Sequence, residues 1–149
     1  MTASADPRPL LASLSGLYDR AVPLSWPLVR IAAGGILAVH GWAKVMGFAN
    51  FVPVFDKMGY QPATLIVALL LVVEFVGGIA IALGLFTRLF AAAAAIEMAE
   101  ITFDVYWSHG FNWTKTGYEF TLMWGLILLA IALRGGGPWS LDRAIGREL

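Results

Sequence analysis

Long apolar runs dominate the chain, separated by short stretches that contain polar residues, glycine or proline. A helix needs roughly 20 apolar residues to cross a bilayer. The predicted spans cover residues 26–46, 63–85, 89–107 and 118–133. Because lipid cannot satisfy an open strand edge, the pattern predicts an all-α, polytopic membrane protein built as a four-transmembrane-helix bundle. Small residues that would let these helices approach closely are Gly34, Gly35, Gly77, Gly78 and Gly84.

The segments that flank the first span have a different pattern. Between residues 10 and 18, apolar residues (Leu10, Leu14, Leu17 and Tyr18) recur at helical spacing, which predicts a short amphipathic helix on the membrane surface. Pro23 and Pro27 are expected to mark the turn into the span, and residues 48–58 to form an interfacial loop or half-helix. The predicted domains are an N-terminal interfacial segment, 1–25, a membrane domain, 26–142, and a C-terminal tail, 143–149.

Composition supports the membrane assignment. The 149 residues are 59% hydrophobic and only 13% charged, with a mean hydropathy of +0.75, whereas soluble domains are about 25% charged. A formal net charge of zero and the lack of a basic tract argue against a nucleic-acid partner. Because the chain has no cysteine, it cannot carry a disulfide, thiolate-bound Fe–S cluster or thioether-linked haem. No phosphate-binding loop or dinucleotide fingerprint is present, so no nucleotide cofactor is expected.

Basic residues near the span ends predict the orientation. The side with both termini carries twice as many as the other side, which favours cytoplasmic termini in the inner membrane. The first apolar segment is expected to be a retained span rather than a cleaved signal peptide. The residues compared are Arg8, Arg20, Arg88, Arg134, Arg143 and Arg147 against Lys44, Lys57 and Lys115.

Three acids occupy the third predicted span. Glu97, Glu100 and Asp104 follow one another at steps of three and four residues, so an α-helix would place them on one arc. An ionised acid inside a bilayer costs several kcal/mol and normally faces a bundle interior, a water-filled cavity or a partner. We therefore expect these acids to face a polar site or a buried ion-pair network.

The first span supplies candidate partners on one helical face, namely Arg30, His40 and Lys44. This basic face is expected to meet the acidic face of the third span. Glu74 in the second span is expected to pair with Arg30 or to accept a hydrogen bond as the neutral acid. His40 is the natural proton carrier, since its unperturbed pKa lies near 6.5.

Tyr118 and Glu119 open the fourth span and are further candidate binding residues, although an acid in a first helical turn also stabilises the helix by itself. His109 is expected to be a solvated loop residue. Neither histidine has a second ligand at the spacing of a known motif, so no metal site is predicted.

With these residues together, the chain resembles the DoxX family of small four-helix membrane proteins over roughly residues 28–142. The resemblance rests on the order and spacing of several short pieces. They are Arg30, His40-Gly41-x-x-Lys44-x-x-Gly47-Phe48, Glu74-x-x-Gly77-Gly78, Gly84-Leu-Phe-Thr-Arg88, Gly117-Tyr118-Glu119 and Ser140-Leu141-Asp142.

The resemblance implies an accessory membrane subunit tied to redox chemistry, similar to the small subunit of thiosulfate:quinone oxidoreductase. In that hypothesis a quinone binds in the bundle and a partner redox protein supplies the electrons. His40, Glu100 and Asp104 would exchange protons. The residues that would bind the quinone are Arg30, Lys44, Glu74, Glu97, Tyr118 and Glu119. Two alternatives stay open: a non-catalytic scaffold, and an oligomer that transports a small solute, proton or metal ion.

Overall fold

A computed structural model describes residues 12–148, all of whose regular elements are helices. After a 3₁₀ turn at Ala12–Leu14, the first long helix, α1, covers Ser15–Lys57. Helix α2, Ala63–Leu83, contains a π-helical turn at Val72–Val76. Helix α3, Thr87–Glu100, is continued by a π-helical stretch, Ile101–Tyr106. Two 3₁₀ turns follow, Trp107–His109 and Trp113–Lys115. The last two helices are α4, Glu119–Arg134, and α5, Leu141–Ile145.

Helix α1 differs from its prediction at both ends. It continues through Pro23 and Pro27, so the predicted turn at these prolines is wrong. A proline already has a helical φ, so it removes one hydrogen bond without necessarily ending a helix. Gly47 has non-helical angles, φ −118° and ψ 22°, and kinks the helix; the half-helix expected after the first span follows this kink. The predicted surface helix is not a separate element from residue 15 onward, and Leu10 lies outside the described residues.

Two helical pairs form the bundle, α1 against α2 and α3 against α4. A small core of aliphatic residues lies between them, made of Ala33, Leu37, Ile81, Ala91, Ala94, Leu128 and Ile131. Large apolar side chains also cover the exterior: Val39, Met46, Ile96 and Leu133 are each 71% exposed. Such a surface suits hydrocarbon rather than water.

By length and hydropathy, two helices in residues 12–148, α1 and α2, could each cross a membrane. At 1.5 Å per residue, α1 is roughly 65 Å long, about twice the apolar thickness of a bilayer. The kink at Gly47 therefore divides a helix that is too long for a single straight span.

Glycines set the distance between α1 and α2. A Cβ atom on Gly34 would lie 2.5 Å from the carbonyl oxygen of Gly78, and one on Gly41 would lie even closer to the backbone nitrogen of Phe75. The prediction of close approach is confirmed at Gly34 and Gly78 but wrong at Gly35, where nothing lies within 4 Å. Small residues let membrane helices pack backbone to backbone.

We expect Gly41→Ala to destabilise the protein by about 1–3 kcal/mol, because the new methyl group would meet backbone that cannot rotate away. Gly35→Ala is the matched control, since it adds the same methyl group to the same helix in open space. Thermal unfolding in detergent would measure both. Equal stability of the two variants would contradict the close packing of α1 on α2.

Candidate functional site

A buried ion pair joins the first two helices. Lys44 Nζ lies 2.7 Å from Oε1 and 2.6 Å from Oε2 of Glu74, and the two side chains are 13% and 6% exposed. Glu74 sits in the π-helical turn Val72–Val76, and the missing side chain of Gly41 lets this turn approach α1. The predicted pairing of Glu74 with Arg30 is therefore wrong, and Lys44 binds an acid of α2 rather than one of α3.

Glu97 is the buried acid of α3. It is 6% exposed, and neither carboxyl oxygen has a hydrogen-bond donor within residues 12–148. Glu100 and Asp104 are both exposed. Asp104 departs from the helical arc of the other two acids, because regular α-helix ends at Glu100 and Asp104 belongs to the π-helical continuation Ile101–Tyr106. The wider π turn changes the direction in which later side chains point.

Two cavities are lined by both Lys44 and Glu74, and the larger of these two has a volume of about 310 Å³. Its polar lining includes His40, Lys44 and Glu74, while Phe120 and Trp124 of α4 supply aromatic rings. His40 itself is exposed. Further lining residues include Ile36, Leu37, Met98, Ile101, Tyr106, Thr121 and Leu128. The cavity is therefore amphipathic, with charge from α1 and α2 and rings from α3 and α4.

The smaller cavity, about 190 Å³, shares Lys44 and Glu74 with the larger cavity. Glu97, Glu100, Tyr60 and Tyr106 complete its polar lining. Burial raises the pKa of Tyr60 from 10.0 to about 12, and Glu100, followed by Asp104, adds to the shift. Tyr60 therefore keeps its hydroxyl proton throughout the physiological range. Tyr60 lies in the loop between α1 and α2, where no helical periodicity could have predicted that it lines a cavity.

Arg30 lies at the other end of the bundle, about 21 Å along α1 from Lys44. It is 1% exposed, and it donates to the carbonyl oxygens of Gly136 and of Trp139, the latter at 2.9 Å. The carbonyl of Ala82 accepts a longer bond of 3.4 Å. Arg30 therefore holds the segment after α4 and contributes to neither cavity.

Two other predicted binding residues lie in the connection between α3 and α4. Tyr118 stacks on Trp107, with ring centroids 4.6 Å apart. Glu119 accepts a hydrogen bond of 3.3 Å from the backbone nitrogen of Trp113. Neither residue lines the two cavities, and neither does Asp104. Within residues 12–148 no group of three or more histidine or acidic side chains could hold a metal ion.

Of the nine predicted site residues, the structure thus brings five to the two cavities. These are His40, Lys44, Glu74, Glu97 and Glu100. A helical chain with an apolar exterior and charged groups buried between its helices has the character of an integral membrane protein.

Comparison with known proteins defines the family. The chain belongs to the DoxX family, whose model matches residues 25–107. It is 32% identical over 124 residues to an inner membrane protein, YqjF, of Escherichia coli strain K12, covering 81% of this chain and 92% of that protein. An uncharacterized protein of Haemophilus influenzae is 29% identical over 123 residues, covering 80% and 90% respectively. No solved structure matches the chain. The protein is therefore a membrane protein of the DoxX family.

Proposed function

We propose that the chain is an accessory subunit of a membrane redox system and binds a quinone head group in the larger cavity. The observation that carries this proposal is the lining of that cavity. The rings of Phe120 and Trp124 line the same cavity as the Lys44–Glu74 pair. Aromatic faces suit a flat conjugated ring, and an ammonium group suits a carbonyl oxygen. A volume of about 310 Å³ is at the lower end for small-molecule sites, which fits a head group whose apolar tail stays in lipid.

A quinone in the cavity would accept two electrons and two protons. The electrons come from a partner redox protein, since the chain has no cysteine to carry a dithiol step. Lys44 donates a hydrogen bond to a ring oxygen, and Glu74 keeps the ammonium of Lys44 in position. His40, which is exposed and lines the same cavity, exchanges protons with the surroundings.

In the proposed topology, all four long helices cross the inner membrane and both termini are cytoplasmic. Helix α3 and its π-helical continuation together run from residue 87 to 106, close to the roughly 20 residues that a span needs. Trp26 donates a 2.9 Å hydrogen bond to Gly135, which brings the first half of α1 and the end of α4 to one side. The excess of basic residues on that side favours the cytoplasm.

We expect quinone to co-purify with the protein and to be depleted in Trp124→Leu, because this change removes an aromatic wall of the cavity. The measurement is native mass spectrometry after gentle extraction, with organic extraction of the same sample. Trp113→Leu is the matched control, since Trp113 is 62% exposed and lies outside both cavities.

Wild-type protein that carries no quinone after gentle extraction would overturn the proposal. If that empty protein held a stoichiometric protein partner instead, the scaffold hypothesis would be favoured. Flux of a solute into proteoliposomes would favour transport. Both variants should first be shown to fold like the wild type by their circular dichroism and elution volume.

A further inference from the structure

We propose that Glu97 is a proton-carrying acid that links the smaller cavity to the larger one through Glu74. The smaller cavity then serves as a proton entry route rather than as a second pocket for an organic ligand. The destination of the proton rests on the proposed function, but the presence of the proton on Glu97 does not.

The first argument is the environment of Glu97. Both carboxyl oxygens are fully buried, and no described residue donates a hydrogen bond to either. An ionised carboxylate without a donor is very costly in such a place, whereas a protonated carboxyl group is neutral and can donate to a neighbouring oxygen. The carboxyl group of Glu74 is the neighbour placed to accept that hydrogen bond.

The second argument is the balance of charge in the cluster. Glu74 and Glu97 share a single buried cation, Lys44, whose ammonium already binds both oxygens of Glu74. One lysine neutralises one carboxylate, so the second acid needs a proton to leave the buried group without net charge. Two carboxyl groups in contact generally hold one proton between them. Glu74 uses its charge in the ion pair, which leaves the proton to Glu97.

The third argument is the position of the cluster between the two cavities. Glu97 lines only the smaller cavity, whereas Lys44 and Glu74 line both. Tyr60 and Glu100 also line the smaller cavity but not the larger one, and Glu100 is exposed. A proton can therefore pass from Glu100 and Tyr60 to Glu97, and then through Glu74 towards His40. Hydrogen-bonded acids and water in such a cavity are a common proton path in membrane proteins.

Each group that faces Glu97 has a stated role in this route. Lys44 from α1 and Glu74 from α2 form the ion pair, and Glu100 on α3 is an exposed acid that lines the smaller cavity. Tyr60, from the connection between α1 and α2, and Tyr106 supply hydroxyl groups. These hydroxyls can pass a proton on without holding a charge.

Infrared spectroscopy of the purified wild-type protein at neutral pH tests the proposal without any bound quinone. We expect the C=O stretch of a protonated carboxyl group, shifted in D₂O and lost in Glu97→Gln. Asp104→Asn is the control, because it removes an exposed acid that lines neither cavity and should leave the band in place. Both changes are nearly isosteric, and the fold of each variant is checked by circular dichroism.

Absence of the band from the wild type would overturn the proposal, as would a band that survives in Glu97→Gln. A band lost only in Glu74→Gln would place the proton on Glu74 and would also contradict the proposal.

The proton route is tested by a second measurement. The double variant Tyr60→Phe/Glu100→Gln should slow deuterium uptake by Glu97, whereas Asp104→Asn should not. Unchanged uptake in the double variant would remove the smaller cavity from the route. A failed quinone extraction would leave these results unaffected, so the two proposals fail separately.

Discussion

Replacing Lys44 by methionine should destabilise the protein by about 3–5 kcal/mol, because the change leaves the buried carboxylate of Glu74 without its cation. Methionine keeps most of the side-chain volume, so the loss measures charge and hydrogen bonding rather than a cavity. Lys57→Met is the matched control, since Lys57 is an exposed lysine at the end of the same helix. Unfolding by heat or by denaturing detergent, with circular dichroism as the readout, would measure both variants.

The double variant Lys44→Met/Glu74→Gln tests the physical reason for that loss. Because it removes both charges, no unpaired ion remains in the bundle, and the double variant should be clearly more stable than Lys44→Met alone. A Lys44→Met variant as stable as the Lys57→Met control would show that Glu74 does not depend on Lys44. The double variant should still lose bound quinone in the proposed function, because the ammonium donor is gone.

The sequence predicted the helical regions well, because a hydropathy pattern reports burial in lipid directly. Each of the four predicted spans corresponds to a helix of the structure, although the first helix is much longer than predicted. Its extra length could not be read from composition. Prolines such as Pro23 and Pro27 usually indicate a helix end. In the structure the residues on both sides of each proline are helical, so α1 continues through both positions.

The pairing of charges was harder to predict than the helices that carry them. Helical periodicity gives the face of a residue but not the helix that will lie against that face. Lys44 therefore had several candidate partners, and its choice of Glu74 depends on the close contact at Gly41 and on the π-helical turn in α2. Likewise, one α-helical arc for three acids assumed a regular helix, which ends at Glu100.

The C-terminal segment was the part least accessible to pattern analysis. Ser140-Leu141-Asp142 entered the sequence analysis only as a piece of the family resemblance. In the structure the backbone nitrogen of Asp142 donates a 2.8 Å hydrogen bond to the carbonyl of Gly84, more than 50 residues away in the chain. The guanidinium group of Arg30 donates hydrogen bonds to carbonyl oxygens just before the same segment, those of Gly136 and Trp139. Separate pieces of the resemblance thus form one contact, which we call the C-terminal clasp: Arg30, Gly84, Thr87 and Asp142.

Asp142→Ala should destabilise the protein by about 3 kcal/mol or more, because it leaves several buried hydrogen-bond donors without an acceptor. Each such unsatisfied donor costs about 1–3 kcal/mol. The Asp142 carboxylate accepts hydrogen bonds from the backbone nitrogens of Phe86, at 2.7 Å, and Thr87, at 3.0 Å. It also accepts a 2.7 Å bond from the hydroxyl of Thr87, which is fully buried. The negative charge further stabilises the helix N-terminus at the start of α3.

Asp19→Ala is the control for that experiment, since Asp19 is an exposed aspartate at the same end of the bundle. Asp142→Asn should fall between the two, because an amide keeps an acceptor oxygen but presents an NH₂ group to donors. Thermal unfolding in detergent measures the series, and an Asp142→Ala variant as stable as the Asp19→Ala control would contradict the clasp. Both proposed sites lie at the opposite end of α1, so Asp142→Ala protein that stays folded should keep the infrared band of Glu97. That result would separate the clasp, as a purely structural contact, from the proton chemistry at the other end of the bundle.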